Sequence, residues 1–589
     1  MISQGYDMIV KNLSELPQAA VAPPGFIVDL KGIWKRYTDD EWQQVTYTPA
    51  WVAAIGYDSN DEDLTIQVDF INRKNGLRSC YVSFNELMGG VPLAQRLATL
   101  GLLVAPSAER VFRDYLAQSV QIVGIPTVRL VRQLGFTHLP TADGGRELAF
   151  ILPDQVVRPA SAPPLMEPVV FRPHIANPTF GAYHAKGTLE EAIELLAPLC
   201  EDPIYCFAIC ASLAGPFLGL AGVDNFIVNL YGPSSTGKTT LLQVGGCLWA
   251  AASDPQQGRA RTVIERWNTT QNAIEIVSAT HSGIFLCMDE VGANVDATIN
   301  LYNVSGGKGK QRMSDSGGLR PQANWHLLVM STGEVAMQAK NEAGSGQRSK
   351  TGETIRALDI PIADVATNGG RTAEEAGILA RATKLRCGEV YGTIGPRFIQ
   401  CVLDTFASEK DLRAALHNDM TECRERLCAA ARAAGYCLQP PQVRAIGRLA
   451  LLMAIGSWAA QVFPALFTEE RVEQACVAVT LAWLANLPIS EEEQIESRLR
   501  DYVLAQGAGV TRHKEWLLLD EAGLTRACPD MAPRDVARAL ATRGFLHREA
   551  QKLTSRHAVD GGERKPYYAI IARRLLSEEE LATLAGCRT

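Results

Sequence analysis

Short runs that alternate apolar with polar residues dominate the first part of the chain. Trp51-Val52-Ala53-Ala54-Ile55-Gly56-Tyr57, Thr65-Ile66-Gln67-Val68-Asp69-Phe70 and Cys80-Tyr81-Val82-Ser83-Phe84 have the spacing and the β-branched or aromatic content of strands. An acidic turn over Asp58 to Asp63 and the turn residues Lys74-Asn75-Gly76 separate them, which predicts an antiparallel meander. Helical spacing follows over residues 93–100 and 108–119, and residues 146–152 read as another short strand. Residues 153–180 are rich in proline and predict an irregular connector.

Beyond Thr188 the pattern changes. Residues 189–199 space their apolar side chains as an amphipathic helix with an acidic start. Residues 204–223 carry no charge and are about long enough to cross a bilayer. They also contain Gly215-Pro216 and Gly219 and run straight into a strand, as a helix packed on a central sheet does, so no membrane contact is expected. Three continuous apolar runs follow, at 226–231, 283–289 and 325–330, and suit buried parallel strands. Residues 371–488 show helical steps over 379–385, 397–407, 412–433, 441–460 and 472–484. From about Ser490 the rhythm is that of a winged helix. A helix covers 491–504, an apolar strand or helix start 516–519, a helix 532–543, and a strand pair 545–548 and 566–570, with a wing near Gly561-Gly562, Arg564 and Lys565.

The length of 589 residues allows about three or four domains. A 47% hydrophobic and 21% charged composition fits a globular chain. The net charge of −7 argues against a general basic coat for nucleic acid, though not against a local basic channel. Fourteen cysteines include no C-x-x-C pair, and nine histidines are dispersed, so structural thiols and a reducing, cytoplasmic setting are expected, with no structural zinc. Residues 1–24 lack the basic region and apolar core of a signal peptide.

The candidate chemistry begins after the run Phe226–Tyr231. Gly232, Pro233, Ser234, Ser235, Thr236, Gly237, Lys238, Thr239 and Thr240 form the pattern G-x-x-x-x-G-K-T. Strand, glycine loop and helix in that order make a phosphate cradle of backbone N–H groups. Lys238 is expected at the β- and γ-phosphates of ATP and the Thr239 hydroxyl on Mg²⁺. The run ending in Asp289-Glu290 is a Walker B pattern, with Asp289 a second Mg²⁺ ligand and Glu290 the base for the attacking water. Ser331 and Thr332 end the next apolar run and are both candidates for the polar sensor of the γ-phosphate.

Between these runs, residues 303–320 hold five glycines with Lys308, Lys310, Arg312 and Arg320. This suits a hairpin or loop whose cations contact a nucleic-acid backbone, or simply a solvated basic loop. Arg356 precedes a further apolar strand, where an arginine finger for a neighbouring subunit is expected, with Arg348 the runner-up. Near the C-terminus Arg534, Arg538, Arg543, Arg548, Lys552, Arg556, Arg564 and Lys565 outnumber nearby acids, which suits either a nucleic-acid contact or a docking module.

Taken together, Y-G-P-S-S-T-G-K-T-T, W-N-T-T-Q-N-A-I-E (267–275), I-F-L-C-M-D-E-V, W-H-L-L-V-M-S-T-G-E and G-E-T-I-R-A-L-D-I-P resemble the replicative helicases of bacterial mobile elements. These are cassette-chromosome and prophage ATPases related to superfamily 3 and MCM-like AAA+ proteins. Gly135-Phe136 stands where that family usually has Gly-Trp, Glu353 where Gln is expected, and Ser331/Thr332 where many relatives of the wider class use Asn. The resemblance covers about residues 26–400. It implies an α/β protein with a P-loop AAA+ ATPase core at 187–370, preceded by a leader (1–25) and an N-terminal α+β domain (26–180). Beyond the reach of the resemblance, the residue pattern itself predicts a helical lid or connector (371–488) and a C-terminal winged-helix domain (489–589). The resemblance also implies a homo-hexameric ring that unwinds DNA with ATP and Mg²⁺, with single-stranded and forked DNA and replication proteins as partners. Two other readings are a signalling or defence AAA+ ATPase whose winged helix binds a protein, and a P-loop phosphotransferase. The Asp289-Glu290 pair and the downstream arginine argue against the latter.

Overall fold

The structure is a computed structural model. It describes residues 22–584 except 59–63, 73, 75, 90–92, 174–176, 235, 256–260, 294–298, 300, 314–321, 346–350, 488–490, 506–508, 550–551, 560–561, 579 and 582–583. The chain divides into two compact units, Met1–Asn486 and Leu487–Thr589.

The first unit opens with β-structure. β1 (Phe26–Asp29), β2 (Gly32–Arg36) and β3 (Trp42–Gln44) form one antiparallel meander, and β4 (Ala50–Tyr57), β5 (Thr65–Ile71) and β6 (Leu77–Ser83) form another. Phe84, expected at the end of β6, instead starts α1 (Phe84–Met88). The Ser83 side chain accepts from the Glu86 N–H while Glu86 returns the bond, a capping box that ends the strand. With α2 (Leu93–Leu100) and α3 (Glu109–Ser119), α1 covers the inward face of the meander around Val68, Phe70, Phe112 and Tyr115. β7 (Thr127–Val131) then pairs in parallel with β4. β8 (Gly135–Pro140), β9 (Arg146–Ile151) and β10 (Val156–Val157) make a small antiparallel sheet. The proline-rich connector supplies β10 and also β11 (Val169–Phe171), which pairs with β7 to give the order β11-β7-β4-β5-β6. Its proline-free pairs of valines find sheet edges there.

α4 (Leu189–Leu196), α5 (Pro203–Ala214) and α6 (Leu218–Ala221) lead into a five-stranded parallel sheet. Its strands are β12 (Phe226–Tyr231), β13 (Ile264–Arg266), β14 (Phe285–Asp289), β15 (Leu328–Gly333) and β16 (Ala357–Pro361), ordered β13-β14-β15-β12-β16. The near-continuous apolar runs follow from burial on both faces. α7 (Lys238–Cys247) and α5 cover one face. α8 (Gln271–Thr280), α9 (Leu301–Ser305), α10 (Met337–Ser345) and the short α11 (Thr351–Thr354) belong to the other side, where Trp267, Ile274, Ile299 and Trp325 pack with Ile227 and Met288.

Gly135 and Gly283 join the small sheet to this core. Both have positive φ, and a Cβ on Gly283 would lie 2.3 Å from the Leu134 carbonyl oxygen, so only glycine permits the approach. Beside it Phe136 packs on Phe150 and Phe217, at 4.9 and 5.2 Å between ring centres.

α12 (Ala373–Arg386), α13 (Ile394–Thr405), α14 (Glu409–Ala433), α15 (Pro440–Val462) and α16 (Glu469–Ala485) form the helical region. α15 and α16 pack on α5, so the uncharged segment lies between sheet and helices. Among the described residues two helical stretches, Pro203–Ala221 and Pro440–Val462, are long and apolar enough to cross a membrane; 83% and 72% of their apolar windows are buried within the fold.

The second unit contains α17 (Glu491–Leu504), β17 (Val510–His513), β18 (Trp516–Leu519), α18 (Glu521–Ala527), α19 (Pro533–Thr542), β19 (Leu546–His547), β20 (Ser555–His557), β21 (Lys565–Ile571) and α20 (Ala572–Leu575). Its sheet runs β17-β18-β21-β19, with β20 pairing to β21. Leu499, Leu519, Val536, Leu540 and Ile570 meet in its core. β17 and α18 carry too few apolar residues to stand out in the pattern; α18 is fixed by Asp520, whose carboxylate accepts from the Gly523 N–H at 2.7 Å.

Candidate functional site at the edge of the parallel sheet

The glycine loop leaves the C-terminal end of β12, the central-side neighbour of β15, and enters α7. Its first N–H, from Gly232, donates to the Gly333 carbonyl at the tip of β15 (3.2 Å). Gly237 closes the loop in the left-handed region (φ 81), where its missing Cβ also clears the Tyr205 hydroxyl. The Lys238 ammonium bends back over the loop and donates to the Gly232 and Pro233 carbonyls, both at 2.7 Å. Thr236 Oγ1 donates to the Pro233 carbonyl at 2.9 Å. Ser234 and Thr236 are exposed, Thr239 is half-buried and Thr240 is buried; Ser235 lies outside the described residues. The loop thus sits at the positive end of a ten-residue helix with a lysine across its mouth, an arrangement suited to an anion.

β14 and β15 bring the acids and hydroxyls to the same edge. Asp289 is buried, and its Oδ1 accepts from Thr332 Oγ1 at 2.6 Å. Glu290 leaves the strand with φ 64, a conformation that costs a non-glycine residue roughly 1 kcal/mol or more. Its N–H points to the same Thr332 hydroxyl at 3.4 Å.

Ser331 and Thr332 lie within β15 rather than in the turn beyond it, so they face opposite ways. Met330 meets α7, because a Cβ on Gly245 would lie 2.9 Å from its Cε. Thr332, two residues on, shares that face with the glycine-loop helix. Ser331 faces the opposite layer, where its Oγ accepts from the Trp267 indole at 2.8 Å. The Trp267 N–H donates to the Asp289 carbonyl at 3.0 Å, tying that layer to the acid strand.

Next to Ser331 on the same face runs a polar row that sequence reasoning missed. Asn229 Nδ2 donates to Asp359 Oδ1 at 2.6 Å. Asp359 also accepts from the N–H groups of Met337 (2.8 Å) and Gln338 (3.2 Å), and so holds the first turn of α10. Burial pushes its carboxyl up to about 6, against the pull of these three donors. The available signal was one Asn and one Asp, each alone in an apolar strand.

Arg356 lies at the other end of the sheet. Its carbonyl accepts from the Ile227 N–H at the start of β12 (2.9 Å), and its Nη1 donates to the Gly352 carbonyl (2.7 Å). The length of β12, six residues or roughly 17 Å at about 3.3 Å per step, separates it from the glycine loop of its own chain. Arg348 lies outside the described residues.

The basic loop after α9 begins as an antiparallel stem. Trp325 N–H donates to the Gly307 carbonyl (2.9 Å), Gly309 N–H to the Ala323 carbonyl (2.8 Å), and Lys308 bridges to Asn324. Lys308, Lys310 and Arg312 are exposed; Arg320 lies outside the described residues. Arg312 Nη2 donates to Glu275 Oε2 (2.9 Å) and to Asn272 Oδ1 (3.2 Å), and Lys310 Nζ stands 3.9 Å from Glu275 Oε1. In the second unit Arg534 and Arg538 on α19, and Arg548, Lys552, Arg556, Arg564 and Lys565 around β20 and β21, are exposed; Arg538 pairs with Asp535 at 2.9 Å and Arg543 with Glu496 at 3.3 Å.

A family model described as "Domain of unknown function (DUF927)" matches residues 26–324. No curated protein sequence matches this chain. Among solved structures, one described as "SCCmec type IV Cch - active helicase" superposes with a TM-score of 0.67 at 15% identity, covering 95% of this chain and 99% of that one. The fold is therefore shared over nearly the whole length of both. A structure described as "The A form apo structure of NrS-1 C terminal region-CTR" aligns at 10% identity over 88% of this chain and 95% of that one, with a TM-score of 0.28.

Proposed function

The chain belongs to the DUF927 family, and from that premise we propose that it is an ATP-dependent DNA helicase, acting as a ring-shaped hexamer in the replication of a mobile genetic element. One observation carries the reading: the glycine loop with Lys238, the Asp289-Glu290 pair and Thr332 all converge on the C-terminal edge of one parallel sheet. Ligands of open α/β sheets bind at that edge. The fold shared with a structure described as an active helicase supports the same reading.

In this mechanism the sheet is a P-loop AAA+ core. Loop N–H groups of residues 234–239 hold the phosphates of ATP, and Lys238 swings from the loop carbonyls to the β- and γ-phosphates. A hydroxyl and a carboxylate, Thr239 and Asp289, are hard oxygen donors that fit Mg²⁺. When bound, that ion neutralises charge developing on the phosphates. Glu290 takes a proton from the attacking water as the bond from the γ-phosphorus to ADP breaks. Thr332, fixed by Asp289, serves as the sensor. Arg356, far from the loop of its own chain, reaches the γ-phosphate of the next subunit. Lys308, Lys310, Arg312 and Arg320 grip the backbone of single-stranded DNA, and the C-terminal unit, a winged helix, orients forked DNA with its exposed arginines. The setting is the cytoplasm, with replication proteins as further partners.

One observation favours a second reading, a signalling or defence ATPase: Glu275 already pairs Lys310 and Arg312 of the basic loop. Strand displacement from a labelled fork separates the two. The helicase reading expects displacement that needs ATP and is lost in Glu290→Gln; robust hydrolysis without displacement supports the second.

A further inference from the structure

The segment W-N-T-T-Q-N-A-I-E joins two regions of the core. Trp267, at its start, bonds both Ser331 and the Asp289 strand. Glu275, at its end, lies on α8 beneath the basic loop. Glu275 is 4% exposed and sits in a small pocket beside Ile274, Ile299, Val304 and Trp325. A carboxylate taken so far from water needs a cation. It finds Arg312 at 2.9 Å, Lys310 at 3.9 Å, and the Lys310 N–H at 3.3 Å. The loop comes this close because Gly309 has no side chain; a Cβ there would lie 3.2 Å from Glu275 Oε2. Even so, Glu275 Oε1 takes no hydrogen bond among the described residues.

We propose that Glu275 is a positioning residue that occupies the loop's phosphate-binding cations, an internal competitor that DNA must displace. The proposal rests on the assignment of the basic loop to DNA. A phosphodiester that captures Arg312 leaves a buried carboxylate without its partner, and that cost opposes binding. Once displaced, Lys310 and Arg312 together contribute to the salt-dependent part of affinity. The occupant is the backbone of single-stranded nucleic acid, recognised by charge rather than by base.

The test is fluorescence anisotropy of a labelled single-stranded oligothymidylate with the full chain, across a salt series. Glu275→Gln keeps the size of the side chain and removes its charge. The proposal expects it to bind roughly tenfold tighter than wild type at low salt. The slope of log K against log salt steepens by about 1.4, because two cations become available at about 0.7 each. The gain disappears in Glu275→Gln/Arg312→Ala, which binds as Arg312→Ala does. A merely structural role would not produce the slope change or its dependence on Arg312. If Glu275→Gln loses its cooperative melting transition, Glu275→Asp replaces it; the retracted charge still releases Arg312 and affinity rises above wild type. Unchanged or weaker binding by the folded variant overturns the competitor role. Should Arg312→Ala weaken DNA binding while Glu275→Gln leaves it unchanged, only the competitor role fails. Should wild type and both Glu275 variants all ignore DNA, the assignment of the loop to DNA fails with it.

Discussion

Thr332 Oγ1 donates to Asp289 Oδ1 at 2.6 Å across two neighbouring strands. The adjacent hydroxyl, Ser331, faces the other layer and takes the Trp267 indole. Thr332→Ala is therefore expected to lower kcat for ATP hydrolysis by about 10²-fold, the scale of one lost preorganised donor. Ser331→Ala removes the hydroxyl to which the Trp267 indole donates and is expected to cost stability on the order of 1–2 kcal/mol, with hydrolysis per folded molecule changed only a few-fold. Steady-state hydrolysis beside urea melts separates the two; a larger kinetic loss in Ser331→Ala would reverse the assignment.

Glu290 combines a positive φ with the proposed role of base. Glu290→Gly relieves the backbone and is expected to stabilise the fold by up to about 1 kcal/mol. The same change abolishes hydrolysis while nucleotide binding survives. Removing Mg²⁺ with a chelator is expected to stop hydrolysis in wild type as well. A Glu290→Gly variant that still turns over ATP at the wild-type rate would exclude Glu290 as the base.

Asp359 gives a pH signature. Its folded carboxyl titrates at about 6, and an unfolded aspartate near 3.8. The folded state binds more protons between those values, so stability is highest below them and falls as pH rises through about 4 to 6. The fall is on the order of 2–3 kcal/mol from this residue. Asp154, also raised to about 6 by burial, adds its own fall in every variant. Urea midpoints of Asp359→Asn against wild type isolate the difference: the fall is smaller in the variant. Parallel curves would mean that Asp359 is ionised throughout.

Arg356 is expected to act across a subunit boundary. Arg356→Ala should bind nucleotide normally and lose about 10³-fold or more in hydrolysis. Mixing Arg356→Ala with Lys238→Ala, each inactive alone, should restore part of the activity, because some interfaces then pair an intact loop with an intact finger. No recovery in assembled mixtures would place Arg356 outside the site.

The local parts of this architecture were legible in the sequence. The β-branched run before Gly232, the glycine loop itself and the apolar run ending in Asp289 each carry their signal within a few residues. Facing and partnership were not. Whether Ser331 or Thr332 looks toward α7 depends on where β15 begins, and it begins at Leu328, three residues later than the apolar run suggests. Asn229 and Asp359 are 130 residues apart and meet only because β16 pairs with β12. Glu275 meets Arg312 through a stem that closes between Gly307 and Trp325. The proline-rich connector hid β11 because an edge strand of three residues needs a partner more than a pattern.

The most direct test of the central claim is ATP hydrolysis by the full chain with and without single-stranded DNA, in wild type and in Lys308→Ala/Lys310→Ala/Arg312→Ala. A DNA-driven motor that grips its strand through these cations should show strong stimulation by DNA in wild type and none in the triple variant. Equal rates with and without DNA in both proteins would contradict a DNA-driven motor.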